Sequence, residues 1–305
     1  MTAGEKYNHG RNAESAGRAD LAEKFYLEAL KIDPGFLPAL NNLGALYARS
    51  GKNDMALTIF RRALEIQADE KILFNIGSVL FRMGNLQESE SYLKKALKLQ
   101  PRLLKAHLLM AYLLEKAGHV DRSLLYLQNA FRIEPSNRMA SLSLALGLQD
   151  AGRNEEALAV AEKYLSFRAG DESMRNLRAE ILLKLNRFDE SLAELENLTQ
   201  SSKGYTGFTE HLKEAKEENV VFFKNVQGKI GSRTQKLREK MERKKAALHE
   251  GKSSPGSQGD GQSDLKDLVD LSLLHLFSGD PQKAMRFLVQ AKKIKARQDE
   301  GKKTP

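Results

Sequence analysis

The chain has no cysteine and no tryptophan in 305 residues, and only seven prolines. Without cysteine there is no disulfide framework, no thiolate metal site and no cysteine nucleophile. The absence of tryptophan and the scarcity of proline favour helix over an all-β architecture. The opening MTAGEKYNHGRN has no apolar core of the kind a secretory signal needs. Long hydrophobic runs are missing too: LLKAHLLMAYLLEK is interrupted by Lys105 and His107, short of a membrane span. These gaps point to a soluble, cytoplasmic protein. Its 41% hydrophobic residues suffice for a sizeable core, and its length suggests about two domains.

Acidic residues are the minority, and the imbalance is local. The net charge of +9 divides into +2 for residues 1–205 and +7 for residues 206–305. The excess bears on partners rather than on fold.

What the sequence does have is a period. Pro34, Ala68, Pro101, Pro135 and Ala169 recur every 33 or 34 residues. Gly17, Gly51, Gly84, Gly118 and Gly152 repeat the series, and Asn186 takes the next place. Within a period, Leu40, Leu43, Leu46 and Tyr47 share one helical face, and after Gly51 so do Ala56, Ile59, Phe60, Ala63 and Leu64. Gly51 suits the left-handed conformation that ends a helix, and Asn53 or Asp54 can cap the next. Small residues recur where the two helices must approach: Gly44 with Ala56, Gly77 with Ser89, Ala111 with Ser123, Ala145 with Ala157, Ala179 with Ser191. One hairpin cannot bury its apolar face alone, so the hairpins must stack.

The segment NNLGALYARSGKNDMALTIFRRALEI resembles a tetratricopeptide repeat, through Leu43, Gly44, Tyr47, Gly51, Ala56, Phe60 and Ala63, with Ala68 in place of a closing proline. The resemblance implies an all-α, right-handed superhelical solenoid of helix-turn-helix hairpins. Six tandem units are expected in 3–205, at about 3–36, 37–69, 70–103, 104–137, 138–171 and 172–205. The first helix of the first unit is polar and carries Gly10, and the sixth unit turns on Asn186.

Beyond residue 205 the period breaks. Residues 206–231 suggest a helical cap with an apolar knot at Val220, Val221, Phe222 and Phe223. The simplest place for it is over the end formed by Leu182, Leu185, Leu192 and Leu195; the alternative folds it back into the groove near Leu108 and Leu142. Residues 232–250 read as a basic helix and 251–264 as a flexible linker. In 265–298, Gly279, Pro281, Ala284, Leu288 and Ala291 restore the repeat as a detached seventh hairpin, and 299–305 form a tail.

Chemistry-bearing constellations are absent from the pattern. The six histidines form no metal-ligand spacing, and His107 and His275 fall at packing positions. GKSS at 251–254 would need glycine where Ala246 stands. Asp264, Asp267 and Asp270 sit where carboxylates favour a helix start. Asn197-Leu198-Thr199 is a glycosylation sequon in spelling alone. No strand–turn–helix context supports a nucleophile. No catalysis, cofactor or metal is expected.

A stacked array offers instead a groove lined by the first helix of each unit. Its expected walls are Asn8 and Arg11; Asn41, Asn42 and Arg49; Lys71, Phe74, Asn75 and Arg82; then Lys105, Leu108 and Tyr112. Further on come Met139, Leu142, Ser143, Leu146 and Gln149. Asparagine can both donate and accept, which suits the backbone of an extended peptide. Some relatives of the resembled family grip a C-terminal carboxylate with lysines, asparagines and an arginine. Only Asn42 and Lys71 match that clamp; Tyr7, Arg11 and Asn75 depart from it. The row Asn8, Asn42 and Asn75 resembles an asparagine ladder that holds peptide backbone. The expected partner is therefore a peptide segment or helix of another protein, docked by a non-catalytic adaptor. The alternative partner is nucleic acid or an anionic surface, met through the basic residues of 229–252 and contacted by backbone charge alone.

Overall fold

Helix formation follows the 34-residue pattern with little deviation. The computed structural model describes residues 1–201, 232, 235, 236, 239, 261–277 and 281–301. Every long element among them is an α-helix, fourteen in all. They pair as α1 (Ala3–Ser15) with α2 (Ala19–Ile32), α3 (Leu37–Arg49) with α4 (Asn53–Ile66), and α5 (Glu70–Arg82) with α6 (Leu86–Leu99). Then come α7 (Leu104–Lys116) with α8 (Val120–Ile133), α9 (Arg138–Asp150) with α10 (Asn154–Phe167), α11 (Glu172–Lys184) with α12 (Phe188–Ser201), and α13 (Gly261–Phe277) with α14 (Pro281–Gly301). The fold is an all-α repeat of stacked hairpins. It divides into two compact units, residues 1–133 and 134–305.

The turns of the first six hairpins are each built on a left-handed residue. Gly51 has φ +75°, and the equivalent turn of the sixth hairpin places Asn186 at φ +58°. Asparagine is the side chain that best tolerates this region, which explains why the period survives the loss of glycine there. The expected caps at Asn53 and Asp54 are not made. Helix α4 begins at Asn53 itself, behind Lys52, with no side-chain cap.

The small-residue pairs mark the tightest approaches, although the neighbour differs from the one the spacing suggests. A Cβ on Gly44 would lie 2.7 Å from the Phe60 ring, and one on Gly10 would lie 2.5 Å from the Tyr26 ring. Gly10 is therefore a packing residue in an ordinary helix, which is also held at its start by a Thr2–Glu5 capping box. Where the second helix carries serine, its hydroxyl donates back across the hairpin. Ser89 reaches the Gly77 carbonyl at 2.7 Å, Ser123 that of Ala111 at 2.8 Å, and Ser191 that of Ala179 at 3.0 Å. The seventh hairpin inverts the device: Ser272, on its first helix, donates to the Ala284 carbonyl at 2.9 Å.

In the first unit, one buried core runs from Ala13 and Tyr26 through Leu40, Leu43, Tyr47 and Phe60 to Ile76 and Leu80. Polar ties follow the same stacking: the Tyr47 hydroxyl donates to Glu23 at 2.9 Å, and Arg62 donates to the Pro34 carbonyl at 2.7 Å.

In the second unit, the hairpin α13–α14 packs on α11 and α12. Ala179, Leu183, Phe188, Leu195 and Leu198 form one buried cluster with Leu273, Leu276, Ala284 and Leu288. Lys295 donates to the Asn186 carbonyl at 2.9 Å and lies 5.1 Å above the Phe188 ring, and Lys292 pairs with Asp189. The hairpin that the sequence sets apart is thus docked on α11 and α12. Helix α13 also starts at Gly261, inside the expected linker 251–264. The expected cap 206–231 lies outside the described residues. So does the expected basic helix 232–250, apart from Ser232, Gln235, Lys236 and Glu239.

Candidate functional site

Within unit one the first helices of successive hairpins are neighbours, α3 beside α5 and α5 beside α7. The inner face of the unit is built from α1, α3, α5 and α7. Its register is set by bonds that step from one repeat to the next. The Asn75 amide donates to the Asn41 side-chain oxygen at 3.0 Å, and Arg82 donates to the Ala48 carbonyl at 2.7 Å. Burial lowers the pKa of that guanidinium, though it stays charged in the working range.

Asn42 has partners within the fold. Its amide donates to the hydroxyls of Tyr7, at 3.3 Å, and Tyr26, at 3.4 Å. The Tyr26 hydroxyl donates in turn to Glu14 at 2.5 Å, and Arg49 pairs with the same carboxylate. Burial and the Glu14 carboxylate raise the Tyr26 pKa, so the phenol keeps its proton. Tyr7 rests on Tyr26 and Phe36, with ring centroids 5.9 and 5.6 Å away. Asn42 and Arg49 thus tie α3 to the first hairpin. Glu14 and Tyr26 were missed by the sequence reading. Tyr26 occupies the second-helix aromatic position of Phe60, and its hydroxyl was the available signal.

The rest of the predicted face is distributed as follows. Asn8, Arg11, Lys71 and Lys105 are exposed, while Asn41, Asn42, Phe74 and Asn75 are half-buried. Arg11 lies 5.9 Å from the Tyr7 ring. Tyr112 is half-buried between Phe81, at 5.2 Å, and the ammonium of Lys116, at 5.6 Å. Leu108 is buried, as is Leu109 beside it, and neither offers an open apolar wall. Asn41 lies on α3, Phe74, Asn75 and Arg82 on α5, and Tyr112 on α7, and Asn75 meets Asn41 directly. This part of the face alternates amide, aromatic and cationic side chains.

Two of the histidines and two buried or half-buried acids have structural partners. His107 is buried with its Nε2 2.8 Å from the Pro101 carbonyl, and His275 stacks on Phe287 at 5.4 Å. Asp171 accepts from Arg138 at 2.7 Å and from the Tyr164 hydroxyl at 2.8 Å, and caps α11 through the Met174 amide. Glu194, buried, takes Arg175 and Arg178 at 2.5 and 2.6 Å. Among the described residues no cluster of three histidine or acidic side chains could hold a metal ion.

Comparison with known proteins agrees with this architecture. Family models described as tetratricopeptide repeat match residues 6–36 and 70–103, 25–58, and 108–173. The chain belongs to the tetratricopeptide-repeat family. Anaphase-promoting complex subunit 7 of Arabidopsis thaliana is 33% identical over 88 residues, 29% of this chain and 16% of that protein. Human tetratricopeptide repeat protein 7A is 30% identical over 95 residues, 31% of this chain and 11% of that protein. The chain therefore spans under a fifth of the curated relatives it matches. Among solved structures, the pilF protein of Pseudomonas aeruginosa superposes with a TM-score of 0.56 at 16% identity, covering 70% of this chain and 97% of that one. A tetratricopeptide-repeat protein of Parabacteroides merdae superposes at 0.51 and 15% identity, covering 95% of this chain and 98% of that one. At these identities the likeness is one of fold. Tetratricopeptide-repeat proteins bind other proteins, and the fold is typically a non-catalytic scaffold. No helix among the described residues is long and apolar enough to cross a membrane.

Proposed function

We propose that this tetratricopeptide-repeat protein is a non-catalytic adaptor that docks an extended, acidic segment of another protein along the inner face of α1, α3, α5 and α7. The observation that carries this reading is the exposure of Arg11, Lys71 and Lys105 beside the half-open Asn41, Phe74 and Asn75. On this face the acidic Glu14 is already taken up by Arg49 and Tyr26. Exposed cations steer an acidic partner and fix its register, while amides meet its backbone. Phe74 and Tyr112 supply the apolar contact such a segment needs for affinity.

A titration of the full chain with fluorescent peptides of acidic, neutral and basic composition tests the reading. Acidic peptides should bind in a salt-dependent manner. Equal binding of all three, or of none, overturns it. The same titration with unrelated duplex DNA covers the nucleic-acid alternative, which would be favoured by DNA binding without peptide binding.

A further inference from the structure

One position of the second helix is polar in the second to sixth hairpins, where Arg61, Lys94, Gln128, Glu162 and Glu196 occupy it in turn. The first hairpin departs from this series. Leu27 stands there instead, 39% exposed. Ile59 of α4 departs in a second way: the next hairpin fills its position with Tyr92, over whose ring Lys95 lies at 5.0 Å. Both α2 and α4 pack on α3. Between them they leave a cleft of 570 Å³, lined by residues of these two helices alone. Leu27, Leu30 and Ile59 are its apolar residues.

The charges lining the cleft are not balanced. Lys24, Lys31 and Arg62 stand against Asp20, Glu23 and Glu28. Two of these acids are taken up by residues outside the lining: Glu23 by the Tyr47 hydroxyl at 2.9 Å and by Lys52 at 3.4 Å, and Glu28 by Lys6 at 2.6 Å. Asp20 sits in the first turn of α2, where the start of a helix favours a carboxylate. Among the described residues no carboxylate forms an ion pair with Lys24 or Lys31. Arg62 is held by the Pro34 carbonyl at 2.7 Å and keeps further N–H donors. The cleft therefore combines an apolar strip with uncompensated positive charge. Lys24, Leu27 and Lys31 follow one another over seven residues of α2, about 10 Å of helix axis.

We infer that this cleft docks an acidic amphipathic helix of a partner protein, with its apolar stripe on Leu27, Leu30 and Ile59 and its carboxylates on Lys24, Lys31 and Arg62. A helix laid in a groove between two others is held by apolar residues at i, i+3, i+4 and i+7. The cations beside the strip select for acids beside that stripe, because a basic helix would meet like charge there. The cleft belongs to second helices and the inner face to first helices, so the first unit can hold two segments at once. The inference does not rest on the inner-face reading.

The probe is a fluorescein-labelled helical peptide with leucines on one stripe and glutamates on either side of it. One control has the same composition with the leucines dispersed, and another has lysine in place of every glutamate. The full chain should bind the acidic amphipathic peptide at least roughly tenfold more tightly than either control. Leu27→Arg, which gives the first hairpin the side-chain type found at Arg61, should keep the melting temperature and lose roughly tenfold in affinity. The double variant Lys24→Glu, Lys31→Glu should lose as much, and it stands in if Leu27→Arg fails to fold. Lys71→Glu, on the inner face, should leave this affinity unchanged. Equal binding of the three peptides, or undiminished binding by both folded cleft variants, overturns the inference. Binding lost in Lys71→Glu and kept in the cleft variants overturns it too, by moving the peptide to the inner face and sparing the reading given for that face. Self-association of the parent chain that disappears in Leu27→Arg, measured by sedimentation without peptide, overturns it by assigning the cleft to a second copy.

Discussion

Asn75 donates its amide to Asn41 at 3.0 Å, across the step from one repeat to the next. This bond makes Asn75 a structural tie as well as a candidate contact for a peptide. Asn75→Ala should therefore lower stability by about 0.5–1.5 kcal/mol, the ordinary worth of such a bond. Lys71→Ala, at an exposed position, should leave the stability within a few tenths of a kcal/mol. Chemical denaturation of the two variants separates the roles. An Asn75→Ala midpoint equal to that of the parent would show the tie to be without weight.

Gly44 is the second test, because its absent Cβ leaves only 2.7 Å to the Phe60 ring. Gly44→Leu overpacks the α3–α4 hairpin and should cost at least 1–3 kcal/mol. In an array held by nearest neighbours the damage stays local. Hydrogen exchange should quicken in α3, α4 and their immediate neighbours and hardly at all in α11 and α12. Uniform acceleration along the chain would contradict the modular account.

Much of this was legible in the sequence, for a physical reason. A hairpin period needs a left-handed turn, a small residue at the crossing and an apolar stripe, and each leaves a residue type at fixed spacing. Asn186 could be placed because its position is fixed even when its identity changes. Partners peculiar to one repeat leave no such periodic mark. Asn42 looks like a free amide in the sequence because Tyr7 and Tyr26, which satisfy it, lie 35 and 16 residues away. The docking of α13–α14 was equally hidden, since its apolar residues say that they must be covered and not by what.

That docking gives a third expectation. Leu288 is fully buried in the cluster with Leu195 and Leu198. Leu288→Ala should cost about 2–5 kcal/mol and loosen α11 and α12 in hydrogen exchange, more than sixty residues upstream in sequence. Loosening confined to α13 and α14 would show the cluster to be incidental.

Tyr47 supplies a pH dependence. Burial, followed by its hydrogen bond to Glu23, pushes its pKa up to about 12 from the usual 10.0. The folded chain holds this proton more tightly than the unfolded chain, so the stabilisation is complete below pH 10 and declines as the pH climbs towards 12. Tyr26 and Tyr164 are raised in the same direction, chiefly by burial. Tyr47→Phe should lessen, without abolishing, the fall in melting temperature across that window. An unchanged slope would remove Tyr47 from the account.

The central claim, that the inner face of the first unit docks an acidic segment, is tested most directly by reversing its exposed charge. The affinity of the best-binding acidic peptide is measured by fluorescence anisotropy for the parent chain and for the variant Lys71→Glu. The variant should keep its melting temperature and lose roughly tenfold in affinity, about 1.4 kcal/mol, with most of the salt dependence gone. Undiminished binding by a folded variant would contradict the claim.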